Sequence, residues 1–533
     1  MEEKTESEES VAVEAKETES KGMSRRAFLK GMSAATLAGG AVAAGAAGFL
    51  AGTDPASRLG WEVASRGYQG AFDRRPFEVD RPLYRVVNET RRPPILSFVW
   101  TRRLAGNFSR LLNVPEGMDL ETFIRESVDV DDLESVPFDW VPHEGLRNFY
   151  HEVYQRTGWN WLADDLRNFT ETNEFLRSIA DETRFDTFVS LAFFNSFTIH
   201  VPANAARVNT RGDAPREENS DYRGVNPVQY SVKDPAELTK LVKQVALLYG
   251  SSVVRVAKLN PDFCFAEGQG TRGYGLLEPI EIPDHWVYGI VIGAPHEWDT
   301  LYGNPLWGTS HDAYSHISIA AARLAEFIKR LGFPARENSP NAGYEWVLPP
   351  IMVDCGMGEQ GRMGVVISPD LGPNLRPAMV VTNMPLIPDK PIDMNIGRFC
   401  RHCKICAEQC PSGSISFEDN PKEIGGRGYE GWSINTVTCH TEIRRTPSGH
   451  LGCRLCIAVC PFAKKHNWLQ RATRNVIARD PTGLSDRFFT WMEGAFYGEH
   501  APEHFIYTPG TRRYGAIRGQ PWFLDSSRVF NES

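Results

Sequence analysis

Cys400-x-x-Cys403-x-x-Cys406-x-x-x-Cys410-Pro411, then Cys439, then Cys453-x-x-Cys456-x-x-x-Cys460-Pro461: this stretch holds eight of the ten cysteines of the 533-residue chain. The first run has the spacing of bacterial two-cluster iron–sulfur proteins, in which the fourth cysteine serves the other cluster. Each four-iron cluster takes four thiolates, so eight cysteines supply two clusters with none left over. The crossed rule assigns Cys400, Cys403, Cys406 and Cys460 to one cluster and Cys453, Cys456, Cys410 and Cys439 to the other. The second run lacks the cysteine that would ordinarily precede Cys453 by two residues, so Cys439 has to be brought back by the intervening loop. A disulfide framework would not need two tandem C-x-x-C…C-Pro units. Zinc sites use C-x-x-C pairs without that ending.

Working outward, the composition allows two or three domains. Hydrophobic residues make up 41% and charged residues 23%, so most of the chain should be globular. A formal charge of −9 argues against nucleic-acid binding. The N-terminus is a separate matter. Residues 1–22 are Glu-, Ser- and Lys-rich and read as disordered. Ser24-Arg25-Arg26-Ala27-Phe28-Leu29-Lys30 matches the twin-arginine export signal and opens a signal segment over 23–55. The following Ala/Gly-rich stretch has glycines at 39, 40, 45, 48 and 52, too many for a stable membrane anchor.

Residues 56–185 show one helical pattern, from Trp161 to Ile179, and no catalytic motif; residues 188–194 are apolar enough to be buried. From about residue 230 the pattern is α/β. Asp234-Pro235-Ala236-Glu237 reads as a cap and first turn, followed by Leu238, Leu241, Val242, Val245 and Leu248 at helical spacing. Strands are expected at 252–259, 286–293, 363–368 and 376–382, and a helix at 313–331 stopped by Gly332 and Pro334. Between them lies Asp354-Cys355-Gly356-Met357-Gly358-Glu359-Gln360-Gly361-Arg362-Met363-Gly364, whose glycines permit close approach of backbone to a large ligand or simply a tight turn. It lacks the strand–GxGxxG–helix context of a dinucleotide site.

Three segments together resemble the respiratory reductive dehalogenases. They are Ala313-Tyr314-Ser315 leading into 324–332; Gly356 to Gly364 with Ile367-Ser368-Pro369, Gly372-Pro373 and Val381-Thr382-Asn383-Met384-Pro385-Leu386; and the cysteine set. The resemblance covers roughly residues 185–470. It implies an α+β fold: a nitroreductase-like α/β cobalamin-binding domain over 186–394 and a bacterial ferredoxin-like domain with two [4Fe–4S] clusters over 395–466, with 56–185 covering the corrinoid and 467–533 as a C-terminal covering segment. It implies a base-off corrinoid without a histidine ligand, and the chain has no Asp-x-His-x-x-Gly motif. The reaction implied is reductive removal of halide from an organohalide, R–X + 2e⁻ + H⁺ → R–H + X⁻. Tyr314 matches the family's proton donor and Arg376 its basic partner, with Arg362 in reserve; an Arg cation makes a phenol a more usable acid. Gly356, Gly358, Gly361, Arg362, Ser368 and Pro369 match the corrinoid contacts. The family further implies a small integral-membrane anchor protein, a membrane-bound electron donor and a place on the outer face of the cytoplasmic membrane. Two departures fall near these sites: Asn374 stands where many members have Arg, and no histidine follows Trp468 closely. Cys264 and Cys355 are left as buried free thiols. Two rivals are an exported ferredoxin-like electron carrier and an epoxyqueuosine reductase-like corrinoid enzyme, the latter cytoplasmic and shorter.

Overall fold

The computed structural model describes residues 77–103, 105–180, 224–269, 276–283, 285–296, 301, 307–340, 344–423, 427–432, 434–445, 453–463 and 468–497. The leader, the export motif, the apolar run 188–194 and everything after 497 lie outside the described residues.

The N-terminal part is helical: α1 Val99–Arg103, α2 Ala105–Leu111, α3 Leu120–Ser127, α4 Glu144–Thr157 and α5 Trp161–Ala180. Asp119 starts α3 by accepting a hydrogen bond from Thr122 N, and Gly158 ends α4 in the left-handed conformation. Their apolar faces close on Phe108, Leu111, Ile124, Leu146, Leu162 and Leu166. A polar group sits in this core. Asp165, fully buried, accepts from Arg102 Nε and Arg103 Nε at 2.7 Å each and from the Tyr150 hydroxyl at 2.8 Å. Burial alone would raise its carboxyl, but the two guanidiniums hold it below the usual range.

Next come α6 Pro235–Leu248, β1 Val253–Lys258, the β2 Glu267–Gln269/β3 Leu276–Pro279 hairpin, β4 Tyr288–Pro295, α7 Trp307–Arg330, β5 Ala335–Asn338, α8 Leu348–Asp354, the short pair β6 Glu359–Gln360/β7 Val366–Ile367, and β8 Leu375–Thr382. Asp234 caps α6 as the sequence indicates, accepting from Ala236 N at 2.8 Å. The main sheet has order β1-β4-β8-β5 with every pair antiparallel. Strand side chains alternate between two cores. Val254, Val256, Ile290, Ile292 and Val380 face α6 and α7 through Leu238, Val242, Ile317, Leu324 and Ile328. Val253, Ala257, Val291, Met379 and Val381 face α8 through Ile351, Met352 and Val353. Two sequence expectations change here. The strand placed at 363–368 shrinks to Val366–Ile367, which pairs with the glycine-rich loop itself. The helix placed at 313–331 begins six residues earlier, at Trp307, where residues 307–312 carry no apolar period that would mark it in the sequence. Tyr314 is therefore inside the helix, not at its start.

The third part contains α9 Ile396–His402, α10 Ile405–Glu408, the β9 Lys422–Glu423/β10 Glu430–Gly431 hairpin, α11 Thr436–Arg445, α12 Leu455–Ala458, α13 Trp468–Arg479 and α14 Leu484–Tyr497. Helices α10 and α12, each opening within a C-x-x-C unit, pack on one another around Phe399, Ile457 and Phe462.

Candidate active site and cluster positions

Cys400, Cys403, Cys406 and Cys460 are all buried in one core. The Cys406 thiol is pushed well up by burial and then by Cys400, Cys460 and Cys403. In the second group the Cys453 thiol is raised by burial, then by Cys456, with Cys439 adding to it. The Cys456 thiol reaches about 11 through burial and then Cys410. The fold thus brings Cys406 near Cys400, Cys403, Cys460 and Cys456, and Cys456 near Cys410. Such crowding disfavours thiolates as they stand, and iron relieves it by neutralising their charge. Among the described residues no three His, Cys, Asp or Glu side chains stand close enough to share a single metal ion. In a cubane each thiolate binds a different iron, so its ligands stand farther apart than those of one ion. Cys264 and Cys355 are fully buried thiols outside both sets, and burial raises Cys264 to about 12.

The displaced Cys439 sits in α11, so a helix carries it. That helix packs on α5 and α1. The next residue, His440, is buried with its Nδ1 3.1 Å from Arg103 Nη1. Since Arg103 is held by Asp165, the N-terminal helices fix the position of one cluster cysteine.

Ser310 and Tyr314 are four residues apart on α7 and so share a face. Arg376, near the start of β8, lies with its guanidinium carbon 5.1 Å from the Tyr314 ring centroid. Its Nη2 donates to Ser310 Oγ at 3.0 Å. Arg454, between Cys453 and Cys456, donates from Nε to the same oxygen at 2.6 Å and from Nη1 to Cys453 O at 2.7 Å. Ser310 Oγ accepts from both cations, which directs its own proton to His296 Nε2, 3.4 Å away. His296, buried beside Arg376 and Arg454, is held well below the usual imidazole value, by burial first and then by those two charges. Asn374 Nδ2 donates to His296 O at 3.1 Å. The Tyr344 phenol is raised by burial and by Tyr314, and it donates to Pro377 O at 3.0 Å. The Tyr314–Arg376 pairing is thus formed. Ser310, His296, Tyr344 and Arg454 are neighbours that the sequence reading did not pick out. Ser310 was accessible as the residue one turn before Tyr314; Arg454 was visible between two ligands but had no stated partner.

The glycine-rich loop serves a different neighbour from the one anticipated. A Cβ at Gly356, where φ is +68°, would lie 2.1 Å from Lys390 O, and one at Gly358 would lie 2.3 Å from Ile367 O. One at Gly361 would meet the Ile367 side chain at 2.6 Å. The close approach these glycines permit is to the chain's own backbone and core. Arg362, buried, donates to Cys400 O, Ser416 O and Glu418 O and lies 4.4 Å over the Trp432 ring. It fastens the loop to the cluster domain, leaving Arg376 as the partner of Tyr314. Ser368 exchanges backbone hydrogen bonds with Gly372, and Pro369 O accepts from Arg474 Nη1 at 3.0 Å. These two residues shape the turn that meets the cluster domain.

An α/β sheet domain joined to a domain that gathers eight cysteines in two C-x-x-C runs defines the class: a two-cluster iron–sulfur protein. Residues 399–464 match the 4Fe-4S dicluster domain family. The tetrachloroethene reductive dehalogenase of Sulfurospirillum multivorans is 31% identical over 301 residues, covering 50% of this chain and 58% of that protein. The trichloroethene reductive dehalogenase of Dehalococcoides mccartyi is 36% identical over 196 residues, covering 35% and 32%. A solved reductive dehalogenase, described as acting by B12-dependent dehalogenation, superposes with a TM-score of 0.52 at 20% identity, over 84% of this chain and 54% of that one. That likeness is one of fold. Over these stretches the chain is similar to reductive dehalogenases, and it spans about half the length of the curated relatives it matches.

Proposed function

We propose that the protein is a corrinoid- and iron–sulfur-dependent reductive dehalogenase, converting R–X with two electrons and one proton to R–H and X⁻. The observation that carries the reading is the position of Tyr314: beside the Arg376 cation and, through Ser310, in contact with a cluster loop. The residues present fit a corrinoid. One buried donor there, Arg376 Nε, has no hydrogen-bond partner among the described residues. The carboxamide rim of a corrin offers an acceptor for it. Unsatisfied, it would cost about 1–3 kcal/mol. The corrinoid, when bound, supplies the low-valent cobalt that reduces a carbon–halogen bond. Tyr314 supplies the proton from its hydroxyl. Arg376 stabilises the negative charge left on the phenol oxygen. Ser310 holds Arg376 in place. Cys400, Cys403, Cys406 and Cys460 would ligate one cluster and Cys410, Cys439, Cys453 and Cys456 the other. A plain electron carrier would have no use for Tyr314 and its neighbours.

The twin-arginine motif at 24–30 supports export. Among the described residues no helix is long and apolar enough to cross a membrane. On this reading a small integral-membrane anchor holds the protein at the outer face of the cytoplasmic membrane, where a membrane-bound donor reduces it as the terminal step of anaerobic respiration. The test is iron, sulfide and cobalt per chain in anaerobically purified protein made with corrinoid available, followed by halide release. About eight iron with one cobalt supports the reading. Full iron without cobalt refutes it.

A further inference from the structure

Two guanidiniums on one serine oxygen are an unfavourable pair of like charges unless an anion lies close by. Arg376 and Arg454 meet at Ser310 Oγ, at 3.0 and 2.6 Å. Arg454 is flanked by Cys453 and Cys456, and its Nη1 is anchored on Cys453 O. A cubane with four thiolates is an anion and gains one further negative charge on reduction, so it is the natural counter-charge for Arg454. The geometry points to Arg454 as a positioning residue with two linked tasks: its cation favours the reduced state of the cluster held by Cys453 and Cys456, and its Nε fixes Ser310 and, through it, Arg376 over Tyr314. The inference deepens the dehalogenase reading and rests on it for the second task; the first rests only on the cluster and its adjacent cation. Its consequence is that electron supply and proton supply depend on one side chain. The fixed positive charge requires no change in protonation of Arg454.

The experiment is a reductive titration of both clusters, followed by electron paramagnetic resonance, in the holoprotein without substrate. Arg454→Gln removes the charge. The midpoint potential of one cluster falls enough to cut its reduced-to-oxidised ratio about tenfold at fixed donor potential, about 59 mV for a one-electron couple, and the other cluster stays at its wild-type value. Arg454→Lys keeps the charge and returns that cluster to its wild-type potential. Lys lacks the guanidinium fork, so halide turnover stays below wild type. Unmoved potentials in Arg454→Gln overturn the inference. If that variant loses a cluster, Arg454→Met removes the same charge and is titrated in its place: a fall of the size expected for the glutamine variant supports the inference and an unmoved potential overturns it. Because potentials are read without organohalide, failure of the dehalogenase reading would appear separately, as wild-type protein that releases no halide from any chlorinated compound.

Discussion

Asp165→Asn tests whether the N-terminal helices hold a cluster ligand in place. The wild-type carboxylate is fully buried and joins Arg102, Arg103 and Tyr150. Asparagine keeps the shape and removes the charge, leaving two buried guanidiniums with no anion between them. Breaking a buried ion pair costs about 3–5 kcal/mol, and the remaining amide oxygen recovers about 1 kcal/mol as an ordinary acceptor. The net loss of about 2–4 kcal/mol corresponds to a rise of about 30- to 700-fold in local opening. Hydrogen exchange on the anaerobic holoprotein reads this directly, because it resolves opening by segment. Faster exchange is expected in α1, α5 and α11, with β4 and β8 unchanged as internal references. The loss of protection should reach α11 because Arg103 contacts His440 there. The pH dependence has a definite sign. A folded-state value held below the usual one stabilises above the unfolded value, near 3.9, and that stability is lost as pH falls through the folded value. Wild type and variant should therefore differ fully at neutral pH and converge in acid below about pH 4. Protection in α5 and α11 within twofold of wild type at neutral pH would refute the argument.

Other outcomes follow from the same geometry. Tyr314→Phe should lower halide release by about 10²–10⁴ while iron, cobalt and cluster potentials remain at wild-type levels. Cys439→Ser should cost one cluster, leaving about four iron per chain and the spectrum of the Cys400 set unaltered. Cys355→Ser should retain full iron and both cluster signals, since that thiol is buried outside either set. Gly356→Ala should destabilise by about 2–5 kcal/mol, from left-handed backbone strain together with overpacking against Lys390 O. A lower thermal midpoint in the iron-replete protein would register it, and a smaller loss in Gly361→Ala, which meets a side chain instead of backbone, is the control.

Much of the cluster domain was legible because cubane chemistry fixes ligand spacing along the chain. The α6 cap was equally readable, since a cap acts over two or three residues. Local chemistry does not reach the site around Tyr314. Arg376 and Ser310 are 66 residues apart, and Arg454 and Ser310 are 144 apart. Only the sheet order and the docking of α12 bring them together. Resemblance supplied Tyr314 and Arg376 but not the residues that hold them. The glycine-rich loop was ambiguous for a physical reason: absence of a Cβ indicates that something comes close, not what it is. Here it is Lys390 O and Ile367. The N-terminal third stayed opaque because its core contains a buried carboxylate and two arginines, residues whose pattern reads as surface.

The spatial order of the cysteine sets gives the proposed reaction a direction. Cys453 and Cys456 flank Arg454, which reaches Ser310 one turn from Tyr314. That set therefore lies beside the candidate reaction centre. The Cys403 thiol is raised to about 12, by burial first, and meets Thr490 and Glu493, both on α14, so this helix packs beside that set. The two sets adjoin, since the Cys406 thiol is also raised by Cys456. On the proposed chemistry, electrons enter at the Cys400 set, pass to the Cys453 set and leave toward the Tyr314 side. Arg398 holds Asp486 of α14 at 2.7 Å, while Arg103 and Arg454 reach His440 and Ser310. The displacement of Cys439 onto α11 then has a consequence within the proposal: the cluster nearest the proposed chemistry would be the one whose ligand depends on the N-terminal helices.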